Sequence, residues 1–182
     1  MTRTRRIASS LLAALALCAL VVGVSACGYE SHHTEVVEGE PVTLGEVNYN
    51  VIFTRYLNRD DTEDSAYLVG RPPPPPGKAY FGAFFQVENE SDRPQPLPGT
   101  LTITDADGEE YESIPSESLY ALHLGTEIGP DDILPALDST PQQGPIEGSL
   151  VLFLLSDSAS ENRPLVLEIP GEDENAEVTL DL

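Results

Sequence analysis

The plainest chemistry in this sequence sits on a cysteine. Val24-Ser25-Ala26-Cys27-Gly28 places one thiol behind a branched apolar residue and two small ones. Such a thiol can take a diacylglyceryl group as a thioether, and the small side chains of Ser25 and Ala26 leave the bond before Cys27 open to a membrane peptidase. Lipid on the sulfur and a cut at that bond would leave a lipidated N-terminal cysteine. Hydrolytic chemistry has less to work with. A serine or cysteine nucleophile needs a positioned base, usually histidine. Beyond the adjacent pair His32-His33 the only histidine is His123, and no Gly-x-Ser-x-Gly turn occurs. Its setting, Tyr120-Ala121-Leu122-His123-Leu124, predicts a partly buried structural histidine.

Metal chemistry is thin as well. His32-His33, flanked by Glu30 and Glu35, are adjacent ligands on a segment with no order of its own, a poor site. Copper handling needs Met, His or Cys, and the only methionine is Met1. Calcium is the best remaining cation. Asp105-Ala106-Asp107-Gly108-Glu109-Glu110 and Asp60-Asp61-Thr62-Glu63-Asp64 each set carboxylates around a turn, with Asp105 and Asp107 the first candidates. Neither segment has the twelve-residue calcium loop with its distal glutamate. A hairpin turning at Asp107-Gly108 accounts for the first segment equally well. Acidic pairs for glycoside chemistry abound but cluster in turns, and Trp, common in sugar clefts, is absent. No phosphate-cradling Gly-rich loop occurs. The chain is expected to be non-catalytic and to need no cofactor.

The elements around Cys27 suit export. Arg3, Arg5 and Arg6 precede a run without charge from Ile7 to Ala26, the arrangement of a secretory leader. An uncleaved span is the competing reading, since twenty residues can cross about 30 Å of hydrocarbon. Ser9, Ser10, Gly23 and Ser25 within the run, and the lack of a basic stop cluster after it, favour cleavage. Residues 1–26 are therefore read as a signal peptide, 27–40 as a lipidated flexible tether and 41–182 as one domain. Of 9 basic residues three lie in the leader, which has no acidic residue, so the 31 acidic residues leave the mature chain at a net charge of −25. That surface repels phosphate backbones and excludes nucleic acid. Cys18 leaves with the leader and Cys27 is alkylated, so the domain has no disulfide and depends on its core.

Strand signals fill that domain. Val47, Tyr49, Val51 and Phe53 alternate with Asn48, Asn50, Ile52 and Thr54, which predicts a half-buried strand with the first set inward. Residues 78–89 are apolar on both faces at their centre, as an interior strand is, with Phe81, Ala83, Phe85 and Val87 inward. Leu101–Thr104 and Tyr111 flank the Asp107-Gly108 turn, Leu150–Leu155 is another strand, and 165–169 with 176–182 form a closing pair. Only Ser116–Leu124 could make a turn or two of helix. The run Pro72–Pro76 predicts a stiff polyproline segment between strands. Gly129–Gly148, rich in Pro, Asp and Gly, predicts a long surface loop and a candidate contact surface. Six or seven such strands with frequent turns point to an all-β sandwich.

The order of these segments resembles a family of immunoglobulin-like domains of unknown function, common in Gram-positive secreted and lipid-anchored proteins. Tyr80–Ser91 is similar to its long strand ending in Asn, Asp105-x-x-Gly108-x-x-Tyr111 to its hairpin, and Gly148–Phe153 before Pro164–Leu167 to its closing strands. Val24–Cys27 matches the bacterial lipobox. The resemblance implies a bacterial lipoprotein, anchored by lipid on Cys27 to the extracytoplasmic face of a cell membrane. Its domain would be an immunoglobulin-like antiparallel sandwich of about seven strands. No catalytic residue comes with the family. A protein partner in the envelope or outside the cell is the first functional expectation, and binding of calcium or a small ligand the second.

Overall fold

The computed structural model describes residues 33–181. Two sheets face each other. One runs β1 (His33–Val37), β12 (Asn175–Leu180), β11 (Leu165–Pro170), β6 (Thr102–Thr104), β7 (Glu110–Glu112). The other runs β10 (Ser149–Ser156), β4 (Lys78–Asn89), β3 (Val47–Leu57), β2 (Val42–Leu44). Two small additions complete the set: β9 (Ile133–Leu134) pairs with the end of β4, and β5 (Gln95–Pro96) pairs with β8 (Glu127–Ile128). The expected β-sandwich is present, divided among the described residues into twelve strands, six of them only two or three residues long.

The core forms where the alternating rows of the two sheets meet. Phe81, Ala83, Phe85 and Val87 of β4 are fully buried against Ile103, Leu167, Ile169 and Val178 of the facing sheet. Those β4 residues are the inward row that the sequence predicts. Alternation in β3 holds only through Val51. A bulge between Val51 and Phe53 shifts the register, because one extra residue reverses which side chains face the core. Phe53, expected inward, is 41% exposed, and Thr54 takes the buried position.

Thr54 is satisfied by the segment expected to be a flexible tether. Its hydroxyl donates to Glu38 Oε2 at 2.6 Å and its amide to Glu38 Oε1 at 3.1 Å, and the amide of Asp181 reaches the same carboxylate at 3.2 Å. Just before Glu38, His33–Val37 pairs in parallel with β12, so a tether through Glu40 is too long and the sandwich is not wholly antiparallel. β1 is an edge strand held mainly by backbone bonds, with Val37 48% exposed, and therefore carries no apolar alternation for a sequence to display.

A second apolar layer covers the outer face of β4. Tyr80, Phe84, Leu150 and Leu152 pack there with Leu57, Tyr67 and Leu68. Tyr67 belongs to the single turn of helix α1 (Asp64–Tyr67), inside the insert between β3 and β4 that also holds the proline run. Tyr80 pins that run by donating its hydroxyl to the carbonyl of Pro72 at 3.0 Å. Residues 116–124, expected as a short helix, are not helical and instead cover the edge of β10. Ile114 donates its amide to Leu152 O at 2.7 Å, Leu122 donates to Leu150 O at 2.8 Å, and Leu150 donates to Tyr120 O at 2.6 Å. Pairing removes an open edge that would otherwise template association with another chain.

Candidate functional site

Cys27 and the cleavage motif Val24, Ser25 and Ala26 lie outside the described residues, as does His32. No helix among the described residues is long and apolar enough to cross a membrane. Candidate chemistry within the domain can be followed residue by residue.

Asp105 closes the hairpin between β6 and β7. Its Oδ1 accepts the amides of Asp107 and Glu109, both at 3.0 Å, and its Oδ2 accepts the Tyr111 hydroxyl at 3.3 Å. The side chain is buried, and Gly108 turns the chain at φ +83°, as the Asp-Gly signal predicts. Asp107 Oδ2 accepts Asn162 Nδ2 at 2.7 Å. These carboxylates organise the turn from within rather than converging on a cation. Among the described residues no group of three or more His, Cys, Asp or Glu is placed to hold a metal ion. Asp64 of the other acidic segment is buried too, paired with the Arg55 guanidinium and accepting the Asn58 amide at 2.8 Å.

Burial pushes the Asp105 carboxyl up, but the amides of Glu109 and Asp107 and the Tyr111 hydroxyl outweigh it and hold it below the usual carboxylate range. A carboxylate lowered in the native state contributes stability that is complete above its ordinary value and is lost as pH falls through the native one. Asp105→Asn is therefore expected to lower the melting temperature by a gap that is constant above roughly pH 5 and narrows toward pH 3. Melting curves across that range test it; a gap that does not change with pH would remove the charge from the explanation.

His123 is exposed rather than partly buried, and its ring has no hydrogen-bond partner among the described residues. It sits past the β10 edge, where the chain has already turned outward. No base is therefore held against a serine there.

Segment 129–148 comes closest to a contact surface. It is rooted, not free: Leu134 pairs with Val87, and Pro135 is buried beneath it. From that root the chain presents Leu137, 78% exposed, and Ile133, 43% exposed. They border a hollow of about 330 Å³ over Asn48, Asn50, Gln86 and Glu88 on the outer face of β3 and β4. The Asn50 Oδ1 in this hollow is buried without a partner among the described residues. Sequence reasoning marked the loop but not these residues.

A second hollow, of about 500 Å³, lies at one end of the sandwich. Its walls are the β2–β3 turn, the segment after β5 and the acidic β11–β12 turn, with Tyr49 inside. Val47 and Tyr49 are marked in the sequence only as strand residues, and nothing there groups them with the other walls, since three turns far apart along the chain form the hollow.

No protein-family model matches this chain, and no curated protein matches it. Solved structures do. An uncharacterised β-sandwich protein from Clostridium difficile superposes with a TM-score of 0.53 at 15% identity, covering 84% of this chain and 97% of that one. The yjhA protein from Bacillus subtilis gives 0.54 at 12% identity, covering 80% of this chain and 99% of its own. At such identity the likeness is one of fold, and the fold is a β-sandwich.

Proposed function

We propose that the chain is an exported lipoprotein, cut before Cys27 and held by lipid on that residue at the extracytoplasmic face of the cell membrane. Its domain is a non-catalytic module that contacts another protein of the envelope or the cell exterior. The lipobox supports the anchor. Two acyl chains, at about 0.8 kcal/mol per buried methylene, hold a protein where one is marginal. The strand order supports the immunoglobulin-like type: β4 lies between β3 and β10 as strand B lies between A and E, and β11 lies between β6 and β12 as F lies between C and G.

Leu137 is the observation that carries the contact reading. A leucine 78% exposed on a rooted loop, beside a second exposed apolar residue and a hollow, is what a partner's apolar surface would cover. A photoreactive residue at position 137 of the full chain is expected to give one discrete crosslinked protein in cells, and Leu137→Asp in a chain crosslinked from position 133 should abolish it. Recovering the same background from 137 as from an exposed position elsewhere would refute the contact.

A further inference from the structure

The hollow at the end of the sandwich combines three features that belong to a ligand site. Its floor is apolar, made by Leu44, Val47 and Leu97. At about 500 Å³ it has the size of small-molecule sites. Tyr49 stands on the inward row of β3, is only 5% exposed, and its hydroxyl has no hydrogen-bond partner among the described residues. The hydroxyl of Tyr56 on the same strand is both unpartnered and sealed off. That of Tyr49 is unpartnered but not sealed, so it opens into the hollow that Tyr49 lines. Burial pushes it up to about 12, so it stays a neutral phenol able to donate and accept.

The rim supplies charge. Glu46 is already engaged by Arg93, whose Nη2 donates at 2.7 Å. Glu172, Asp173 and Glu174 have no hydrogen bond or ion pair among the described residues. Gly171 holds that turn tight against the hollow: a Cβ there would lie 2.4 Å from Glu174 O and 3.5 Å from the Leu44 Cβ. The rim thus sets three uncompensated carboxylates over an apolar floor.

We propose that this hollow binds a small amphipathic organic cation, a primary ammonium on an apolar body. The body lies on Leu44, Val47 and Leu97, the Tyr49 hydroxyl takes a polar group within, and the ammonium faces Glu172–Glu174. The site is separate from the surface at Leu137 and from the anchor, so it stands or falls independently of both.

Full-length protein in detergent, titrated at low salt and followed by equilibrium dialysis, tests this with three probes of one shape. They are 2-phenylethylamine, the neutral 2-phenylethanol and the anion 3-phenylpropanoate. The amine is expected to bind saturably and about tenfold or more tighter than the alcohol, with the anion not binding. Tyr49→Phe should weaken the amine by about fivefold or more without lowering the melting temperature, since the hydroxyl it removes has no partner among the described residues. Replacing Glu172, Asp173 and Glu174 by Gln, Asn and Gln should abolish the preference for the amine over the alcohol. Those three are a small part of 31 acidic residues, so diffuse attraction of cations to the protein would survive the change. Absence of saturable amine binding at millimolar concentration overturns the proposal. So does equal binding of amine and anion, or an amine affinity that neither variant alters.

Discussion

Phe84→Ala is expected to destabilise the protein by about 3–5 kcal/mol and to open the insert between β3 and β4 to protease while the sandwich stays folded. Phe84 is fully buried, yet it faces away from the core between the sheets. Its ring packs edge-on against Tyr67 of the insert, with centroids 5.0 Å apart, and Tyr67 packs in turn against Tyr120 at 4.9 Å. Removing the ring takes away part of the surface on which Tyr67 and Leu68 of the insert, and Ile114 and Tyr120, pack. Space there is limited: a Cβ on Gly82 would come within 2.9 Å of Leu150 Cδ1 and 3.3 Å of Phe84 Cε2. Phe85→Ala is the control, because the same side chain on the same strand points into the other cluster. It should cost a similar amount but release the insert only when the whole domain unfolds. Urea unfolding gives the energies, and limited proteolysis with fragment mapping gives the order of opening. Early cleavage of the insert in both variants, or in neither, would mean that the outer layer is no separate unit.

That outer layer also marks where sequence reasoning stops. β4 is legible as an interior strand because Tyr80–Phe85 is apolar on both faces, and the pairs β6–β7 and β11–β12 are legible because alternation and turn residues agree. What covers the second face of β4 is not legible. Tyr67 and Leu68 sit in the short run Ala66–Val69 between an acidic stretch and a proline run, and four apolar residues in a row set no period. β1 fails for the opposite reason: it is defined by a partner 142 positions away and by few buried side chains, so nothing local announces it. The reversal at Phe53 depends on a bulge, which alternation can only read through. Asp105-x-Asp107-Gly108 suits a calcium loop and a hairpin alike. The structure shows the Asp105 carboxylate directed toward two amides and a phenol, and direction is not a property of the string. The end hollow is harder still, since its apolar floor, its phenol and its acidic rim come from segments that meet only in the folded sheet.

Cys27→Ser is expected to abolish lipid labelling altogether and to leave the chain at precursor length, longer than the wild type by the leader of residues 1–26. Serine differs from cysteine by one atom, oxygen in place of sulfur, but its hydroxyl is not a substrate for diacylglyceryl transfer, and the peptidase that cuts lipoproteins acts on the lipidated precursor. Radiolabelled palmitate and the mass of the purified chain read the two steps separately. Retention in the membrane alone is a poorer measure, because an uncut leader with its run from Ile7 to Ala26 can itself hold the precursor there. A second variant removes that ambiguity. Ala26→Leu keeps the thiol but places a bulky side chain before the bond to be cut, so it should impair processing while Cys27 is unchanged. Labelled palmitate that persists undiminished in Cys27→Ser would overturn the anchor, and with it the placement of this acidic domain beside a membrane. On the proposed reading, the net charge of −25 that cleavage would leave opposes approach to anionic headgroups, so the lipid proposed on Cys27 would have to supply the attachment.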